Sequence, residues 1–396
     1  MQDLLKYAPE YPSVRDLKNR AKRRIPKFAF DYLEGGCNEE VNLLKNESDF
    51  HKIELRPQYL KDFNDVNMRT TLFGREYDAP FGISPIGLQG LMWPNAPEIL
   101  AKAALRHNVP FILSTVSTSS IERIAEITES NFWFQLYHPV ENALRDDILD
   151  RLTSVNCPVL TLLADVPSFG FRYREIKAGL SMPPRMTLRN IFQAFGRPVW
   201  SLETLKTGIP EFATLKKYMD NKMDMSQLGK FMNKTFNGRI NSEKIAAIRD
   251  KWKGKLVVKG IVSEEDIQKC IALGADGIIV SNHGGRQIDA GESSIRSLQC
   301  LAGKYGDQIT VMMDGGVRSG PDIARAIASG ASFTFMGRPF MYGVAALGNN
   351  GGNHTIAMFK SQLKQVMEQL CCEKIDDLKA TLVPVGSGAY ELGPHN

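Results

Sequence analysis

The sequence predicts an α/β fold of the (β/α)8 barrel type, eight parallel strands each followed by a helix. Three observations carry that expectation. Eight short β-prone runs recur along the chain, helical stretches separate most of them, and the runs end in polar or glycine residues of the kind found in βα loops. At 396 residues the chain exceeds the usual domain of about 100–200 residues, but α/β barrels run larger as single units. Residues 1–396 are therefore expected to form one domain carrying a lead-in and an insertion. Composition allows a large core, with 43% hydrophobic and 23% charged residues and no low-complexity tract.

Residues 1–80 read as a mainly helical lead-in, because 14–33 mixes apolar and basic residues at helical spacing. The opening Met1-Gln2-Asp3-Leu4-Leu5-Lys6 carries an early acid and no apolar stretch, unlike a secretory signal. The eight β-prone runs are 81–84, 111–114, 132–135, 159–163, 256–259, 277–280, 309–313 and 332–336, with helices such as 264–273 and 321–329 between them. Nowhere do about 18 apolar residues follow one another, so no membrane span is expected. The six cysteines have neither zinc-site nor disulfide-framework spacing, which suits a reducing compartment and no metal.

One spacing is anomalous. About ninety residues separate the fourth and fifth runs, far more than a loop and one helix require. The excess, 181–240, holds ten basic residues against four acids, a net of +6 in a chain whose total is +5. Basicity is therefore local, which points away from a nucleic-acid binder. In a barrel, an insertion after a strand lies on the active-site face.

The sharpest motif, Ser281-Asn282-His283-Gly284-Gly285-Arg286-Gln287, follows the sixth run directly. Paired glycines let the backbone approach a ligand, histidine takes a proton near neutral pH, and arginine grips a carboxylate through two parallel hydrogen bonds. After the seventh and eighth runs come Asp314-Gly315-Gly316-Val317-Arg318-Ser319-Gly320-Pro321 and Gly337-Arg338-Pro339. Glycine turns entering helices at this pair of strands commonly hold phosphate on backbone N–H groups.

These two loops, with the F-Q-L-Y run at 134–137, the V-V-K-G run at 257–260 and the I-P-K-F-A-F-D-Y run at 25–32, resemble the flavin-dependent L-2-hydroxy-acid oxidising family over nearly the whole chain. The resemblance implies FMN as cofactor and a set of roles. His283 would be the base and Asp165 would stabilise its imidazolium. Arg286 and Arg172, helped by Tyr32, would hold the substrate carboxylate, and Tyr137 would bond near the hydroxyl. Lys259 would sit beside the flavin ring, Ser114 and Gln135 would meet its polar edge, Ile86-Gly87 would pass along its face, and Ser281 would also bind the cofactor. Arg318, Gly337 and Arg338 would bind the phosphate with Gly315 and Gly316, and Asp314 the ribityl chain. A homotetramer is also implied.

Two positions depart from the family pattern. Leu163 stands where members usually carry a flavin-contacting threonine, two residues before the aspartate. Val116 replaces the pocket tryptophan of the glycolate-oxidising members, which widens the substrate side, and Phe169 is placed to refill part of it. The expected reaction is oxidation of an L-(S)-2-hydroxy acid to the 2-keto acid, L-lactate to pyruvate first, with electrons passed to a quinone. (S)-mandelate as substrate, or a soluble oxidase using dioxygen, are the alternatives. Apolar residues interleaved with Arg185, Arg189, Arg197 and Lys206 suit an anionic membrane surface, and the runs Trp200-Ser201-Leu202 and Gly208-Ile209-Pro210 resemble the membrane-binding segment of the mandelate-oxidising members. Peripheral contact through 185–238 at the cytoplasmic face of the inner membrane is expected, with the cytoplasm as alternative.

Overall fold

The computed structural model describes residues 7–180, 187–208, 210–219, 231, 234–236 and 239–384. Its centre is a barrel of eight parallel strands: β1 (Phe81–Ile83), β2 (Ile112–Ser114), β3 (Trp133–Leu136), β4 (Val159–Leu163), β5 (Lys255–Ile261), β6 (Gly277–Val280), β7 (Thr310–Asp314) and β8 (Phe333–Met336). From β2 to β8 each strand pairs with its sequence neighbour, and β8 pairs with β1. A bridge between Ile83 and Phe111 joins β1 to the start of β2 and closes the ring.

Several helices start where a side-chain oxygen caps them. Ser120, Asn241, Ser263 and Ser319 each accept from the backbone N–H three residues on, satisfying a donor the first turn leaves free. Strand residues facing outward, among them Leu113, Phe134, Leu160, Val258, Ile278 and Val311, pack under these helices in the main core.

Because strand side chains alternate in direction, the other set points into the barrel. Ile112, Trp133, Val159, Val257, Ile279, Met312, Phe333 and Phe335 fill its N-terminal half. An antiparallel hairpin, Thr70–Leu72 with Arg75–Tyr77, plugs that end. Its turn places Phe73 and Gly74 at φ 52° and 82°, the doubly left-handed backbone that a two-residue hairpin favours, and the Phe73 ring lies 5.7 Å from Trp133. Two residues further along the same faces stand Ser114, Gln135, Lys259, Ser281 and Asp314. The polar site is thus the C-terminal continuation of the apolar filling.

The lead-in is not one continuous helix. It forms Val14–Arg24 and Lys27–Glu34, interrupted at Ile25, which is extended at φ −106° and ψ 157°. Pro26 is the reason, since it pushes the preceding residue out of the helical region and donates no hydrogen bond. A further helix, Gly351–Gln369, packs against Ala96–Arg106, Gly320–Ala328 and Arg338–Leu347. Within the insertion, Leu188–Phe195 and Pro198–Thr207 form two short helices. Residues 181–186 and 209 and most of 220–233 lie outside the described residues. No helix among the described residues is long and apolar enough to cross a membrane.

Candidate active site

The loop after β6 turns through three successive left-handed residues, His283, Gly284 and Gly285, at φ 56°, 63° and 73°. At Gly285 a Cβ would lie 2.6 Å from the Leu43 backbone nitrogen, so only glycine fits. His283 adopts this unfavourable backbone because its surroundings hold it there: its N–H donates to Ser281 Oγ at 3.0 Å, and Gly285 N–H donates to Asn282 Oδ1 at 3.1 Å. Asn282 exchanges two 2.8 Å side-chain bonds with Asn46 of the lead-in.

His283 Nδ1 lies 3.0 Å from Asp165 Oδ1, which leaves Nε2 for the cavity that His283 borders. Burial is the largest influence on this imidazole and draws its pKa below 6.5, while Asp165 pulls the other way. Burial works to raise the Asp165 pKa, but His283 and Lys259 together hold it below the ordinary carboxylate range.

Lys259 is 3% exposed and central. Its Nζ donates to Ser281 Oγ at 2.8 Å and lies 3.1 Å from Asp314 Oδ2 and 3.9 Å from Asp165 Oδ2. Those two acids outweigh the effect of burial and raise its pKa. Ser84 Oγ donates to Asp314 Oδ2 at 3.1 Å.

Arg172 and Arg286 border the cavity together. Arg286 Nη1 donates to the carbonyls of Tyr32 and Gly35, both at 2.9 Å, and its guanidinium lies 5.1 Å from the Tyr32 ring centre. Arg172 Nε donates to the Arg286 carbonyl at 3.0 Å, and its Nη2 to Gln287 Oε1 at 2.8 Å. Between the two guanidinium groups sits Glu175, a residue that the motif reading passed over. Its Oε1 accepts from Arg286 Nη2 at 2.5 Å, and both its oxygens lie 3.3 Å from Arg172 Nη1. The signal available in the sequence was an acid one helical turn after Arg172.

Tyr32 and Tyr137 also border the cavity, and burial raises both hydroxyl pKa values above the usual range. Ile86, Gly87, Val116 and Phe169 form walls. Gly87 is tightly matched to Val116, whose Cγ2 is 2.8 Å from where a Cβ would stand. Val116 in turn packs with Phe212, Leu215 and Phe236, and the Tyr137 ring meets Phe236 edge-on at 5.9 Å. The insertion therefore builds one side of the pocket.

At the other end, Gly315 and Gly316 have φ 92° and 86°, and with Arg318, Gly337 and Arg338 they border the same cavity of about 1460 Å³. Arg318 pairs with Glu47 at 2.9 Å. Arg338 donates to the carbonyls of Leu33, Gly35 and Gly284, and burial lowers its pKa to about 10. Ser114, Gln135 and Ser281 are buried just beneath.

Two buried polar atoms here have no protein partner, Gln135 Nε2 and Asp314 Oδ1. A donor and an acceptor left open at the base of a large cavity fit a heteroaromatic ring with a polar side chain, and the glycine turns and arginines fit its phosphate.

A model of the family described as FMN-dependent dehydrogenase matches residues 21–384. An L-lactate dehydrogenase of Caulobacter sp. (strain K31) is 34% identical over 372 residues, covering 94% of this chain and 98% of that one. One of Haemophilus influenzae (strain PittEE) is 34% identical over 93% of this chain and 96% of its own length. A crystal structure of (S)-mandelate dehydrogenase, described as a monotopic membrane protein, superposes with a TM-score of 0.88 at 32% identity, over 94% of this chain and 98% of that one. Matched along almost its entire length and holding a site fit for FMN, the chain belongs to the FMN-dependent 2-hydroxy-acid dehydrogenase family and takes FMN as its cofactor.

Proposed function

We propose that this FMN-dependent enzyme oxidises L-lactate to pyruvate and passes the electrons to a quinone at a membrane surface. The observation that carries the chemistry is the His283–Asp165 pair, 3.0 Å apart, with His283 on the same cavity as Arg172 and Arg286. A carboxylate held by Arg172 and Arg286 brings the adjoining hydroxyl-bearing carbon toward His283. His283 Nε2 takes a proton from the substrate, Asp165 stabilises the imidazolium, and Tyr137 and Tyr32 orient the hydroxyl and carboxylate. Bound FMN supplies the two-electron acceptor that no side chain can provide. Lys259 would hold positive charge beside its ring, Gln135 and Ser114 would meet the ring's polar edge, Asp314 the ribityl chain, and Arg318, Gly337 and Arg338 the phosphate.

L-lactate rests on the names of the relatives, whereas the paired Gly87 and Val116 leave room for the larger (S)-mandelate, the second reading. Steady-state rates with an artificial electron acceptor across both acids decide between them. L-lactate should show the higher kcat/KM, and a clear preference for (S)-mandelate would reverse the assignment. Failure to oxidise either would remove both.

The membrane reading rests on the insertion helices. Leu188, Phe192, Phe195 and Leu205 are 74–79% exposed, an apolar surface that water does not favour, with Arg189 and Arg197 beside it. Phe195 and Leu205 also border the active-site cavity, which places the surface next to the chemistry. Co-sedimentation with anionic vesicles tests it, comparing the intact chain with one in which residues 185–238 are replaced by a short linker. Equal binding, or none by either, sinks this part while leaving the flavin chemistry standing.

A further inference from the structure

Two guanidinium groups and one carboxylate meet at the substrate end of the cavity, a net charge of +1 in a buried place. The other charges bordering the cavity are already balanced. Lys259 lies against Asp314 and Asp165, Lys216 pairs with Glu211 at 2.7 Å, and Arg318 with Glu47. Arg338 spends its bonds on main-chain carbonyls in the cofactor end. Of the remaining walls on the substrate side, Val116, Leu88 and Phe169 are apolar, and Tyr32, Tyr137 and His283 add polar groups.

We infer that Glu175 is a specificity-determining residue: it leaves the arginine pair one positive charge short of two, so that the site accepts one carboxylate and disfavours dicarboxylic acids. The inference rests on the proposal that Arg172 and Arg286 receive the substrate carboxylate. Its geometry is direct. Glu175 is 6% exposed, touches both guanidinium groups, and cannot turn to solvent without vacating the space between them. A monoanion brings the cluster to neutrality. A dianion leaves a buried negative charge facing Glu175, while every other cation bordering the cavity is already engaged, an arrangement that a low-dielectric site penalises heavily. Arg286 retains Nε–H and one Nη2 hydrogen outside the hydrogen bonds described, so a substrate carboxylate joins the cluster without displacing Glu175.

The test uses the FMN-loaded enzyme and reads binding through the oxidised flavin spectrum, with pyruvate as the singly charged probe and oxalate as the doubly charged one. In Glu175→Gln the affinity for oxalate relative to pyruvate should rise by about tenfold or more, the effect expected from removing one nearby buried charge. Glu175→Asp keeps the charge and should keep the wild-type ratio, even where the shorter side chain moves both affinities together. An unchanged ratio in Glu175→Gln, or the same shift in both variants, overturns the inference. The wild-type enzyme supplies a second reading that needs no variant. L-lactate should be preferred over its dicarboxylic analogue L-malate by about a hundredfold in kcat/KM, and comparable rates would also overturn it. If Arg286→Lys leaves both probe affinities untouched, the arginine–carboxylate reading is what has failed, and this one falls with it.

Discussion

The two ends of the barrel are built from the same strands with the same alternation, yet they do opposite work. At the N-terminal end, Trp133, Met312, Phe333 and Phe335 exclude water and interlock with the hairpin. Two residues further along those faces, Gln135, Asp314 and Gly337 offer hydrogen-bonding groups and space to a ligand. The difference teaches that the barrel separates stability from chemistry by distance along a strand. A rigid apolar plug below permits polar groups above whose partners come from a bound ligand, which would be costly in a site that had to hold itself together.

That division can be broken from either end. His283→Ala should reduce turnover by about 100- to 10,000-fold while flavin stays bound and thermal stability stays near wild type, as measured by steady-state kinetics and melting. A large loss of stability with this substitution would mean that the upper end also carries the fold. The pH profile sharpens the point. Because burial draws the His283 pKa below 6.5, its neutral form should persist to lower pH, and kcat/KM should rise through an acid limb below that value. Asp165 works to raise this pKa, so Asp165→Asn should move the limb further down in pH while lowering the maximal rate; a limb moving upward would contradict the pairing.

At the lower end, Trp133→Ala should destabilise the fold by about 3–5 kcal/mol in denaturant unfolding, yet leave kcat of the folded enzyme within about twofold. A collapse of kcat at full flavin loading would show that the two ends are coupled. The smallest effect is expected in the wall between them and the insertion. Gly87→Ala drives a methyl group into Val116, so KM for (S)-mandelate should rise by about threefold or more relative to L-lactate, and adding Val116→Ala should relieve it. Equal changes for both acids would remove the wall from the specificity argument.

How much of this was legible beforehand follows the same division. Strand runs and glycine loops announce themselves locally, so the barrel and the loop at 281–287 could be named, and Tyr32, Arg172, His283, Arg286, Arg318 and Arg338 border one cavity. The break at Pro26 was also written locally but hidden within a longer helical pattern. Glu175 was not legible, because its importance depends on two arginines 114 residues apart in sequence that only the fold brings to it. Nor was the matching of Gly87 to Val116, or the way Phe212, Leu215 and Phe236 back that valine, since a spacing of residues does not reveal which side chains compete for one volume.

The lead-in has a consequence for the order in which this protein matures. Arg286 bonds to the carbonyl of Tyr32, 254 residues earlier, Cys37 N–H donates to the Gly285 carbonyl, and Arg338 reaches back to Leu33 across 305 residues. At a ribosomal pace of about 5–20 residues per second, the residues that brace the catalytic loop wait roughly 15–60 seconds for their partners to be made. During that interval Phe30, buried in the finished molecule beside Tyr342, lacks that partner ring. The catalytic centre is therefore among the last parts to form. A nascent chain arrested before β8 would hold most of its barrel without an assembled active site, and would expose the segment best suited to capture by a chaperone.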